Sequence, residues 1–163
     1  MIANPANAAE TVWIIDSSAL IQTKRAIAAH CQWSFLERLK LMVDAGQVCF
    51  PKAVRNELQV ARHVDTPEAW ALDVCSLVQH SYEPQDQTVA EVMAAAGAVV
   101  DADAEGDPAD PYVLAQALEI QRVGREVCVV TNDLVDRMPI KISMLTACGV
   151  VSCTYLVWTY WTS

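Results

Sequence analysis

The feature that most restricts the fold is a set of short apolar runs that do not alternate. "TVWIID" (11–16), "QVCF" (47–50), "REVCVVTND" (125–133) and "VVSCTYLVW" (150–158) are apolar along much of their length. A strand with one wet face alternates polar and apolar side chains, whereas a strand covered on both faces does not. Segments with helical character lie between these runs. "WSFLERLKLMVDAG" (33–46) carries apolar residues at 33, 35, 36, 39, 42 and 43, with Gly46 as a stop. "KAVRNELQVARHV" follows Pro51, a residue suited to the first helical position. "TPEAWALDVCSLVQ" opens on a Thr cap, "QDQTVAEVMAAAGAVV" is Ala-rich, "PYVLAQALEIQRVG" ends at Gly124, and "KISMLTACG" reads as a short helix. Ser17 or Ser18 is placed to cap the helix of "SSALIQTKRAI". Strands alternating with helices predict an α/β domain of three layers, α/β/α, around a central, mainly parallel sheet of four or five strands. Residues 1–163 read as one domain with a helical excursion around 62–108.

Charge narrows the function classes. Twenty acids against 11 Lys and Arg give a net charge of −9. A surface that coats nucleic acid needs clustered cations, so that class is disfavoured, although an enzyme that reaches phosphate through a metal is not. The six cysteines form no Cys-x-x-Cys pair and several sit inside apolar runs, which fits small hydrophobes in a reducing cytoplasm. "MIANPANAAE" lacks the basic start and apolar run of a secretory signal. Ile142 to Ser163 carries no charge, but its many Ser and Thr residues and the lack of a basic anchor favour buried elements and an aromatic tail over a membrane span.

The acids fall where an open α/β sheet places its sites, at the carboxyl ends of strands. Asp16 ends the first apolar run, Asp133 lies just past the third, Asp110 opens a helix, and Glu57 lies on the helix after the second run. Four carboxylates from four parts of the chain can thus meet at one sheet edge. Clustered carboxylates repel unless protonated or bridged by a cation, and hard oxygen donors suit Mg2+ or Mn2+. Each acid also has an ordinary reading: Asp16 and Asp110 as helix caps, Glu57 as a surface helix residue, and Asp133 as a turn residue. The stretch "DADAEGDPADPY" begins like a calcium loop, but position 12 is Tyr112 rather than Glu. Asp101, Asp103, Glu105 and Asp107 therefore read as a solvated loop. Asp107 lies close enough to the Asp110 helix start to support the site from outside, and Ser17, Ser18 and Thr131 are candidate hydrogen-bond partners of the carboxylates.

"WIIDSSALI", "VRNEL", "DPYVLAQAL" and "VVTNDLVDR" together resemble the four signature segments of PIN-domain ribonucleases, the family of VapC-type toxins. The resemblance runs from about residue 12 to about residue 155. It implies a PIN-like fold and a Mg2+- or Mn2+-dependent endoribonuclease, with Asp16, Glu57, Asp110 and Asp133 as catalytic, metal-holding acids. It further implies an RNA substrate, a protein antitoxin that occludes the site, and a homodimer. The stretch between Glu57 and Asp110 is long for a minimal toxin, and Asp136 competes with Asp133 as the fourth acid. A PIN-like binding or regulatory module without catalysis, and a protein phosphorylated on Asp16, are the readings from other classes. Lys24, Arg25, Lys52, Arg55 and Arg62 are cations that either flank the site or form solvated helix faces. Tyr155, Trp158, Tyr160 and Trp161 either stack bases or pack inward.

Overall fold

The computed structural model describes residues 11–59, 66–78, 83–103 and 108–157. Four strands lie in one sheet: β1 (Val12–Ile15), β2 (Val48–Cys49), β3 (Val127–Thr131) and β4 (Tyr155–Val157). Their spatial order is β2-β1-β3-β4, and every pairing is parallel. Trp13 faces Val48 and Cys128 in register, so β1 has a neighbour on each side. All five residues of β3 are buried, which accounts for its unbroken apolar sequence.

Helices fill the connections. α1 (Ser17–Ala26) and α2 (Ala29–Asp44) link β1 to β2. α3 (Lys52–Leu58), α4 (Thr66–Val78), α5 (Asp86–Ala96), a 3-10 turn (Gly97–Val99) and α6 (Asp110–Arg122) lie between β2 and β3. α7 (Met144–Val150) precedes β4. α1 to α4 pack among themselves, α5 packs on α6 and α7, and the sheet contacts both groups. The fold is thus the three-layer α/β/α arrangement expected from the sequence. Trp70, Ala71 and Val74 of α4 and Val92 and Ala96 of α5 join the same buried core as Ile14, Leu20 and Val129. The predicted excursion therefore packs on the sheet core along its described parts.

All three helices that lead directly into a strand end in the same way. After α2, the N–H of Gly46 donates to Val43 and that of Gln47 to Met42; after α6, Gly124 donates to Gln121 and Arg125 to Ile120. Both glycines have positive φ, 70° and 80°, as this double hydrogen-bonded stop requires. After α7, Ser152 donates to Gly149 and Cys153 to Cys148, and Ser152 itself takes the left-handed conformation at φ 60°. This corrects the sequence reading, which ended the helix at Gly149 and began the last strand at Val150. Gly149 lies inside α7, a serine performs the glycine's task three residues later, and β4 starts only at Tyr155. Pro51 likewise precedes α3 as its cap residue rather than opening the helix.

Two changes test this account. Ser152→Gly relieves a left-handed L-residue and is expected to stabilise the fold by about 0.5–1 kcal/mol in urea unfolding. Ile14→Ala removes a fully buried side chain from the central strand and is expected to cost about 2–5 kcal/mol by the same measurement.

Candidate active site

The strand order reverses direction between β1 and β3: the chain goes from β1 to β2 on one side, then returns across β1 to β3 on the other. Such a switch point leaves a crevice at the carboxyl ends of its two strands. Asp16 immediately follows β1, and Thr131, Asn132 and Asp133 are the end and sequel of β3. A cavity of about 440 Å3 opens there, lined by Ser17, Ser18, Glu57, Asp110, Asn132 and Asp133 among others.

Asp16 lies beneath this cavity rather than on its wall. It is 1% exposed, and its Oδ2 accepts hydrogen bonds from Ser18 Oγ at 2.5 Å and Thr131 Oγ1 at 2.9 Å. Those hydroxyls in turn accept from backbone N–H groups of the turn after β3: Asn132 to Ser18 Oγ at 2.9 Å, and Asp133 to Thr131 Oγ1 at 3.1 Å. The turn that aims Asp133 is therefore locked to the buried carboxylate. Asp16 occupies the cap position of α1 but makes no side-chain capping bond, and Ser17 and Ser18 lie inside the helix. Of the two roles open to Ser17 and Ser18, capping and bonding to the carboxylates, the structure shows the second: Ser17 donates to Glu57 and Ser18 to Asp16.

Glu57 joins two further elements. One of its oxygens accepts from Ser17 Oγ, and Oε1 accepts from the backbone N–H of Ala109 at 2.7 Å. Ala109 is the cap residue of α6, so a carboxylate from 52 positions upstream satisfies an orphan donor at that helix start. Asp110 is the first residue of α6 rather than its cap. Its Oδ2 lies 3.0 Å from Lys141 Nζ, and the same ammonium lies 3.1 Å from Asp133 Oδ2. Asp136, the competitor for the fourth position, turns away to accept from the Ser143 N–H and hydroxyl and from Thr146 Oγ1, each at 2.8 Å. Those bonds hold its carboxyl below the usual range. Asp133 is the acid that faces the cavity.

Sequence reasoning missed Lys141, Arg137 and Asp101, all of which line the cavity. Asp101 was assigned to a solvated loop, and the cations proposed to flank the site were others. Lys24, Arg25, Lys52 and Arg55 do not line the cavity. Asp107, Glu105, Arg62, Trp158, Tyr160 and Trp161 lie outside the described residues, and Tyr155 is exposed on β4. No local pattern marks Lys141, because it reaches the site from an irregular loop.

The electrostatics follow from burial. Desolvation pushes the Asp16 carboxyl up, against the hydroxyl bonds, and the charges of Glu57 and Asp133 add to the rise. Burial and then the Asp16 charge raise Asp110 to about 7, in spite of the adjacent Lys141 ammonium. Burial alone lowers Lys141, but Asp110 and Asp133 outweigh it and its net shift is upward. Burial raises Cys49 to about 12 and Cys128 and Cys153 to about 11, so these thiols are poor nucleophiles and serve the core.

An all-oxygen donor set under mutual repulsion is chemistry suited to a hard divalent cation. As arranged, however, no three His, Cys, Asp or Glu side chains among the described residues surround one common point. Asp110 and Asp133 converge instead on an ammonium, so a positive charge is already present where the acids demand one. Asp110 and Asp133 are of the charge and donor type that Mg2+ or Mn2+ takes and line the cavity, while Asp16 does not line it.

These features define an α/β protein with an acidic crevice at its switch point. A family model described as a domain of unknown function, DUF4411, matches residues 13–157, and the chain belongs to that family. No curated protein matches it. Among the described residues no helix is long and apolar enough to cross a membrane.

The raised Asp110 gives a pH test. Its pKa is about 7 when folded against 3.8 for a solvated Asp, so the folded state holds the proton more tightly. Its contribution is fully present below about 4 and is lost as pH rises through about 7. In EDTA, stability is expected to fall over that range by on the order of 4 kcal/mol. Asp110→Asn is expected to flatten the profile in thermal unfolding.

Proposed function

We propose that this chain is a metal-dependent ribonuclease that hydrolyses RNA phosphodiester bonds, acting as the toxin of a toxin–antitoxin pair. The observation that carries the reading is the meeting of Asp16, Glu57, Asp110 and Asp133, from widely separated segments, around one crevice at the switch point of a parallel sheet. These are the acids on which the four PIN-type segments depend. Acid clusters are costly to bury without a cation, and a purely structural role does not call for the cluster to open onto a cavity. A catalytically silent binding module of the same fold is the second reading.

Asp110 and Asp133 would hold Mg2+ or Mn2+ at the cavity wall, with Asp16 below contributing directly or through water. The bound ion would lower the pKa of a water and offset charge on the phosphate. Ser18 and Thr131 fix the carboxylate of Asp16 and, through Asn132 and Asp133, the turn beside it. Glu57 positions the start of α6 and hence Asp110. Arg137 and Lys141 present positive charge to a phosphate entering the same cavity. A protein antitoxin covering this crevice, a homodimer and a cytoplasmic setting complete the proposal; Cys31, Cys49, Cys128, Cys148 and Cys153 are unpaired, which suits a reducing compartment.

The test is cleavage of a mixed RNA pool by purified protein with Mg2+, Mn2+ or EDTA. Activity is expected with either metal and not in EDTA. Asp16→Asn and Asp110→Asn are expected to lower the rate by about 100-fold or more, and Thr131→Val by roughly 10- to 100-fold, as for groups that orient metal ligands. Cleavage unaffected by the Asp substitutions would discard this site. Tight RNA binding without cleavage under any condition would favour the binding module.

A further inference from the structure

We infer that Lys141 is a tethered counter-cation that competes with a divalent ion for Asp110 and Asp133, so that its ammonium weakens metal binding. The inference rests on the metal-nuclease reading and adds a control element to it.

The geometry carries the argument. Lys141 Nζ makes its two ion pairs through one oxygen of each acid, at 3.0 and 3.1 Å, and its side chain is only 12% exposed. Those are ammonium distances. A Mg2+ ion needs oxygens at about 2.1 Å and strips water reluctantly. A divalent ion on the same two acids would stand close to the ammonium, and at low dielectric the two cations repel, so each weakens the hold of the other. Lys141 thus competes electrostatically with a divalent ion for the same pair of acids.

The loop that carries Lys141 is built to hold it there. Arg137 and Lys141 pair across an antiparallel bridge, with Arg137 N donating to Lys141 O at 2.8 Å. Asp136 fastens the loop to Ser143 and Thr146, and Ile142 N donates to Ala98 O at 2.8 Å. The backbone is thus anchored on both sides of Lys141, while its unbranched stem remains able to swing. An anchored ammonium acts at high effective concentration, as any tethered competitor does.

The experiment is a Mn2+ titration without RNA, read by electron paramagnetic resonance of free Mn2+ and by Tm with and without the ion. Wild type, Lys141→Gln and Asp136→Ala are compared. Lys141→Gln is expected to bind Mn2+ about tenfold tighter or more, or 1.4 kcal/mol, and to gain more in Tm from Mn2+ than wild type. Asp136→Ala loosens the loop and leaves the four acids intact, so it is expected to shift affinity in the same direction by a smaller factor. Equal or weaker binding by Lys141→Gln overturns the counter-cation role while leaving the nuclease reading in place. Absence of Mn2+ binding in every protein removes the metal reading and this inference together. If Lys141→Gln folds only when Mn2+ is added, the competition is supported. If it does not fold at all and Asp136→Ala binds like wild type, the competition is refuted.

Discussion

Burying the Asp16 carboxylate sets the terms for the rest of the crevice. A carboxylate taken out of water is stable only if its oxygens are hydrogen-bonded or its proton is retained. Here two hydroxyls converge on Oδ2, one from α1 and one from the end of β3. Meeting that demand fixes how α1 leaves β1 and how the chain turns after β3. The same hydroxyls accept N–H groups from Asn132 and Asp133, so the polar network is closed at its lower edge. The parallel pairing of β1 with β3 brings the two halves of this network together across more than 100 residues of chain.

Above that floor the charges are less well balanced. Glu57 is satisfied by Ser17 and by the start of α6, whereas Asp110 and Asp133 share a single ammonium. Arg137 and Lys141 line the cavity against Glu57, Asp101, Asp110 and Asp133, so the wall holds more acids than bases even before Asp16 is counted. A protein carrying a net charge of −9 can approach a phosphate backbone only where local positive charge is supplied. On the proposed reading, the metal and the two basic side chains supply it.

Much of this was legible in the sequence, for identifiable reasons. The three-layer fold follows from apolar runs without alternation, and Asp16 and Asp133 were found because strand ends are visible as the place where such runs stop. Glu57 and Asp110 were found because helix patterns locate them relative to a strand or a cap. The four acids do meet around one crevice, although Asp16 lies beneath it. Ser17 and Ser18 carried two readings, helix caps or partners of the carboxylates, and the second holds because tertiary partners claim their polar atoms. The misreadings share a cause too. Lys141, Arg137 and Asp101 come from loops, where no period marks which way a side chain points. Ser152 hid the end of α7 because it adopts a conformation normally advertised by glycine. Membership in DUF4411 places the chain among relatives without adding a role for any of these residues.

The distribution of the site along the chain bears on how the protein comes off the ribosome. The buried carboxylate at residue 16 emerges early, but its partner hydroxyl at 131 and the ammonium at 141 emerge more than 100 residues later. Parallel pairing of β1 with β3 cannot form before then, and contacts so distant in sequence are slow to close. A nascent chain therefore carries the first acid without a crevice around it until more than 100 further residues have been made. On the proposed reading, the nascent chain attacks no RNA before the segment around residues 131–141 has left the ribosome.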